Sequence, residues 1–99
     1  MQQALWIAYD IVLDDDILLL LKQAGLAAYT RWPRLTGDGP QSGARLDNSI
    51  WPGANAMVLA VADEAAVAAA MASLQALRDR VGALTGLWAF TTPVLSALK

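Results

Sequence analysis

The residues best suited to holding a ligand stand close together: Gly37, Asp38, Gly39, Pro40, Gln41, Ser42 and Gly43, followed by Arg45, Asp47, Asn48 and Asn55. Two glycines one residue apart let a backbone approach a bound molecule, and Gln41 beside them offers an amide. Arg45 and Asn55 add a cation and a second amide for an anion or a polar ligand. The same Gly-x-Gly spacing also suits a tight turn with positive φ at two positions, and charged loop residues are commonly solvated, so both readings stand on residues alone. The chemistry on offer is binding. With no His and no Cys, the chain has no imidazole base, thiolate nucleophile, disulfide or Cys/His zinc site. No Ser/base pair or acid–base dyad has a recognisable spacing, so a non-enzymatic role is expected.

Other candidates are better explained by structure. Asp14, Asp15 and Asp16 are consecutive, and successive helix residues point about 100° apart, so they do not converge on a metal. They suit the start of a helix, where short carboxylates accept from free amides and meet the positive end of the macrodipole. Asp10 is an ionisable group in an otherwise apolar strand and is expected to face Arg34 or Arg45. Trp32-Pro33 and Trp51-Pro52 flank the glycine-rich stretch and read as packing that anchors its stems.

The elements that must position these residues follow from periodicity. Ala4–Val12 is apolar on both alternating faces and predicts a central strand. A helix runs from Asp14, with its stripe at Ile17, Leu18, Leu20, Leu21 and Ala24, to a stop at Gly25. Leu26–Thr36 predicts a second strand, at an edge or bulged because of Pro33. Thr36–Asn55 fits neither a helix nor a regular strand and is expected to be a long functional loop. Ala56–Ala62 predicts a third strand, Asp63 caps a helix running to about Val81, and Leu87–Val94 closes as a fourth strand. The order βαββαβ predicts an α+β, ferredoxin-like single domain over 1–99: a four-stranded antiparallel sheet with both helices on one face.

Composition bounds the partners. Hydrophobic residues are 57% and charged residues 16% of the 99-residue chain, against roughly 45–50% and about 25% in an average domain. So small a domain buries only about 60–65% of its unfolded surface, so the excess points to a homo-oligomer that covers the second sheet face. A net charge of −2 with scattered Lys and Arg argues against nucleic acid. Aliphatic runs such as Ile17–Leu21 are too short for a membrane span, the apolar stretch 54–77 is split by Asp63 and Glu64, and no signal peptide is apparent, so a cytoplasmic location is expected.

Taken together, Thr36-Gly37-Asp38-Gly39-Pro40-Gln41-Ser42-Gly43 resembles the start of the T-loop in PII signalling proteins and their PII-like relatives, which carry Gly-x-Gly-x-Gln-x-Gly there. Leu13-Asp14-Asp15, Val61-Ala62-Asp63 and Thr92-Pro93-Val94 match other positions of the same family. The resemblance implies a homotrimeric sensor with a small-molecule effector in its subunit clefts. The loop 37–55 would order or disorder in response, with a membrane transporter or an enzyme as the partner that reads it. The ligand-binding residues it implies are Gly37, Asp38, Gly39, Gln41, Arg45 and Asn55. Departures from the family bear on the ligand. The lysine-bearing loop reads Asp79-Arg80-Val81-Gly82-Ala83-Leu84-Thr85-Gly86, Pro40 replaces an arginine, and two arginines after the last strand have no counterpart. Adenine nucleotides are therefore expected to bind weakly if at all. The other class of function compatible with the fold is a dimeric ferredoxin-like enzyme acting on a small organic substrate.

Overall fold

In the computed structural model, which describes residues 1–98, the chain forms β1 (Gln2–Asp10), α1 (Asp14–Gln23), β2 (Thr30–Leu35), β3 (Gly37–Gly39), β4 (Gly43–Arg45), β5 (Asn55–Asp63), α2 (Glu64–Val81) and β6 (Trp88–Pro93). Short 3-10 turns precede α1 and β6. Four strands make an antiparallel sheet in the order β2-β5-β1-β6, so the most apolar strands, β1 and β5, sit at its centre. This is the expected ferredoxin-like α+β arrangement. Pro33 sits in the edge strand β2, where the register to β5 shifts between Trp32 and Leu35. An edge bulge is where the missing N–H does least harm.

One face of the sheet carries Leu5, Ile7 and Tyr9 from β1 and Ala56, Val58 and Ala60 from β5. They pack with Ile17 and Leu21 of α1 and Val67, Ala70, Leu74 and Leu77 of α2 into a single core. The apolar residues of both helices recur at helical spacing, which turns one stripe of each toward the sheet. Strand alternation then sends the other side chains outward. Trp32, Met57, Ala8 and Trp88 form one row across all four strands, and Thr30, Leu59, Trp6 and Phe90 form the next. Phe90 stacks on Trp6 at 5.9 Å and on Trp88 at 5.3 Å between ring centroids. Nothing among the described residues covers this aromatic face, and Trp88 and Phe90 remain 51% and 40% exposed.

Three details differ from the sequence reading. The stretch expected to lack regular structure contains a β3/β4 hairpin, paired Gly37 to Arg45, Asp38 to Ala44 and Gly39 to Gly43. Strand β2 begins only at Thr30, because Leu26 is drawn into the core ahead of it. The aspartates at 14–16 occupy the first turn of α1 and Asp63 stands at the N-cap position of α2, but none of them makes a side-chain capping bond to its helix. Asp14 turns instead toward Tyr9 and Arg31, and it is Asp10 that caps, accepting from the Val12 amide at 3.1 Å.

Candidate functional site

The hairpin β3/β4 leans over the end of the open sheet face toward the segment 82–86, and a cavity of about 460 Å³ lies between them. Gly37, Asp38, Gly39 and Gln41 line it from the hairpin, and Asn55 lines it from the first residue of β5. Five of the six predicted ligand residues thus share one cavity. The sixth, Arg45, is 9% exposed and does not line it. Residues from distant parts of the chain complete the wall: Ala8 and Met57 on the sheet, Arg78 on α2, Gly86 and Trp88.

The two glycines of Gly37-Asp38-Gly39 serve close approach rather than a turn. Neither has positive φ; the left-handed backbone falls at Gly43, with φ 77°. A Cβ on Gly37 would collide with the Asn55 amide nitrogen, and one on Gly39 with Ser42 Oγ. Glycine at 37 lets the hairpin approach the first residue of β5, and glycine at 39 leaves room for Ser42 within the hairpin itself.

Arg45 holds this geometry from behind. Its Nε donates to Asp10 Oδ2 at 2.9 Å and its Nη2 donates to the Leu84 carbonyl. Its stem packs 3.6–3.7 Å from the position a Cβ would take on Gly53. One guanidinium therefore ties the hairpin to the end of β1 and to the segment 82–86. Of the two partners expected for Asp10, Arg45 takes the role, while Arg34 pairs with Asp47 at 2.7 Å in the open. Beyond the hairpin, residues 46–53 fold onto themselves. Asn48 Oδ1 accepts from the Ile50 and Trp51 amides, and the Leu46 amide donates to the Trp51 carbonyl. This leaves Ile50 77% and Trp51 51% exposed, so Trp51 is presented outward rather than packed as a stem anchor.

Two polar groups in the cavity wall have no protein partner to satisfy or neutralise them among the described residues. Asn55 Oδ1 is shielded from solvent and has no hydrogen-bond partner among the described residues. Such an atom costs about 1–3 kcal/mol when it stays unpaired. Arg78 is exposed on α2 and enters none of the ion pairs among the described residues. The sequence reading missed Arg78 because it searched the segment 79–86 for cations, whereas α2 delivers this one from just before that segment.

The charged cluster on the helix side of the sheet is, by contrast, fully used. Arg31 donates to both oxygens of Asp14, at 2.9 and 2.7 Å, and Tyr9 Oη donates to Asp14 Oδ1 at 2.6 Å. Burial alone would raise the Asp14 carboxyl, but the bonds from Arg31 and Tyr9 outweigh it and hold it below the usual carboxylate range. Burial, followed by the bond to Asp14 and its charge, pushes the Tyr9 phenol well above its ordinary value. These groups brace the core and do not line the cavity described above.

No protein-family model matches the sequence, and no curated protein matches it significantly. Solved structures do match. CPII, a nitrogen regulatory PII-like protein from Thiomonas intermedia K12 bound to ADP, AMP and bicarbonate, superposes with a TM-score of 0.76 at 20% identity, over 92% of this chain and 83% of that one. The chain has the PII-like fold. A DUF3240 family protein from Shewanella baltica shares that fold with this chain at a TM-score of 0.73 and 15% identity, covering 99% and 94% of the two chains. A candidate PII-like signalling protein from Thermus thermophilus gives 0.61 at 19% identity, over 92% and 84%. In the PII-like fold of this chain, the hairpin β3/β4 and the loop 46–53 occupy the stretch whose sequence resembles the T-loop.

Proposed function

We propose that this chain is the subunit of a PII-like homotrimeric regulator that binds a small anionic effector in the cavity between the hairpin and the segment 82–86. The observation that carries this reading is the cavity itself. It joins backbone opened by Gly37 and Gly39, an unpartnered amide at Asn55 and an unpaired cation at Arg78. Its walls Met57, Ala8 and Trp88 also belong to the uncovered aromatic face, so a second subunit laid on that face would border the bound effector. The bilateral ties of Arg45 give effector contacts a mechanical route to the loop 46–53, whose exposed Ile50 and Trp51 offer a surface for a protein or transporter partner. The reading assigns the chain a binding and switching role in the cytoplasm, with no catalytic step.

The ligands named for CPII set the first panel: ADP, AMP and bicarbonate. An effector present at 100 times its dissociation constant should stabilise the protein by about 2.7 kcal/mol in a thermal-shift measurement. Gly37→Ala, which drives a methyl group into the Asn55 amide, should remove most of that shift. A panel in which no small anion stabilises the wild type, or in which Gly37→Ala responds equally, contradicts the reading.

A further inference from the structure

Residues 46–53 are exposed without exception, yet they are folded. The Leu46 amide donates to the Trp51 carbonyl at 3.0 Å and the Asp47 amide to the Gly53 carbonyl at 2.9 Å, while Asn48 Oδ1 accepts from the Ile50 and Trp51 amides at 3.0 and 2.7 Å. All of these bonds close within the segment itself. Both of its ends are fixed to the body. Arg45 is held by Asp10 and Leu84, and the carbonyl of the fully buried Ala54 accepts from the Ile11 amide. Between those fixed points, one pair of hydrogen bonds joins the segment to the rest of the described residues: Arg34 of β2 donates to both oxygens of Asp47, at 3.2 and 2.7 Å. Asp47 is also the one non-glycine residue with left-handed backbone among those described, at φ 55°, a conformation that persists where its surroundings hold it. At the far end stands Gly53, φ 91°, where the missing side chain lowers the cost of changing the backbone.

We propose that the Arg34–Asp47 pair is a latch that holds the segment 46–53 against the edge strand β2, and that on its release the segment swings as one piece about Arg45 and Gly53, carrying Ile50 and Trp51 with it. The inference rests on the switching role proposed above and adds its regulation: the loop changes position rather than melting. The strength of the pair suits a switch. Exposed ion pairs shift an equilibrium by about fivefold at most, so the latched position is favoured without being frozen, and a partner that gains contact with Ile50 and Trp51 can release it. A melted loop would lose the bonds around Asn48 and would have to restore that order on binding. A swinging one keeps Trp51 preorganised.

The sequence contains no cysteine, so Ser49→Cys places a single nitroxide label on the exposed segment. Its line shape is compared with and without Arg34→Ala or Asp47→Asn, the latter keeping a residue that tolerates left-handed backbone, alongside hydrogen exchange of the unlabelled proteins. Both latch variants should raise the ratio of mobile to immobile label about two- to fivefold. The Leu46 and Trp51 amides should exchange at the wild-type rate in both, whereas Asn48→Ala, which breaks the turn itself, should speed exchange at Ile50 and Trp51. About 0.5 M NaCl should loosen the label in the wild type and change neither latch variant further. A label held equally in the latch variants, or one insensitive to salt in the wild type, overturns the latch. Faster exchange at Leu46 and Trp51 on losing the pair, or protection that survives Asn48→Ala, overturns the motion as one piece. No effector enters the experiment, so these failures leave the anion-binding reading intact.

Discussion

On the helix-covered face of the sheet, Asp14 receives Arg31 and Tyr9, and the side chains between strands and helices pack into one core. On the opposite face and at its hairpin end, Trp88 and Phe90 stand half exposed, Asn55 Oδ1 has no donor and Arg78 no counter-ion among the described residues. The contrast separates what the fold needs from what it leaves available. Groups that stabilise the monomer are partnered within it, whereas the aromatic face and the cavity wall carry groups that the monomer itself does not use. Arg45 sits at the border, a buried structural cation whose bonds define the cavity without entering it.

The contrast can be broken from the structural side first. Arg45→Ala strands the Asp10 carboxylate and unties three segments, and should cost about 3 kcal/mol in urea denaturation. Asp14→Asn removes the ionic half of the Tyr9–Asp14–Arg31 cluster and should cost about 2 kcal/mol at pH 7. Because the folded Asp14 carboxyl lies below its unfolded value, its contribution is fully present above about pH 4 and fades as the pH falls through the folded value. The difference between wild type and Asp14→Asn should therefore narrow below about pH 4, which denaturation at several pH values would reveal.

Much of this division was legible in the chain. The alternating apolar residues of Ala4–Val12 and Ala56–Ala62 and the helical stripes of α1 and α2 determined the sheet and its covered face, because burial dictates those patterns directly. The surplus of apolar residues foretold the uncovered face. The hairpin was not legible: Gly37–Gly39 and Gly43–Arg45 are too short and glycine-rich to carry a strand signal, and the bonds that tie the hairpin down, from Arg45 to Asp10 and Leu84, are long-range. Asp14 was read as a cap because no local rule reveals an arginine seventeen residues away. The cavity was half legible, since Gly37, Asp38, Gly39, Gln41 and Asn55 lie in one stretch, whereas Arg78 and Trp88 arrive by tertiary folding.

Smaller effects sharpen the border. Gly86 has φ 63°, and a Cβ there would stand 2.9 Å from Arg45 Nη1, so Gly86→Ala should cost about 1–2 kcal/mol through strain and displacement of that guanidinium. Arg34→Ala, which removes an exposed pair with Asp47, should leave the denaturation midpoint unchanged within error. If Arg34→Ala destabilised as much as Arg45→Ala, the division between partnered interior and available surface would not hold.

The central claim is that the uncovered aromatic face is an assembly surface, and sedimentation equilibrium at micromolar concentration tests it most directly. The wild type should sediment at three times the 10.5 kDa of one chain, and Phe90→Glu, which plants a charge in the aromatic stack, should sediment as a folded monomer. A wild type that remains a stable monomer at that concentration contradicts the account.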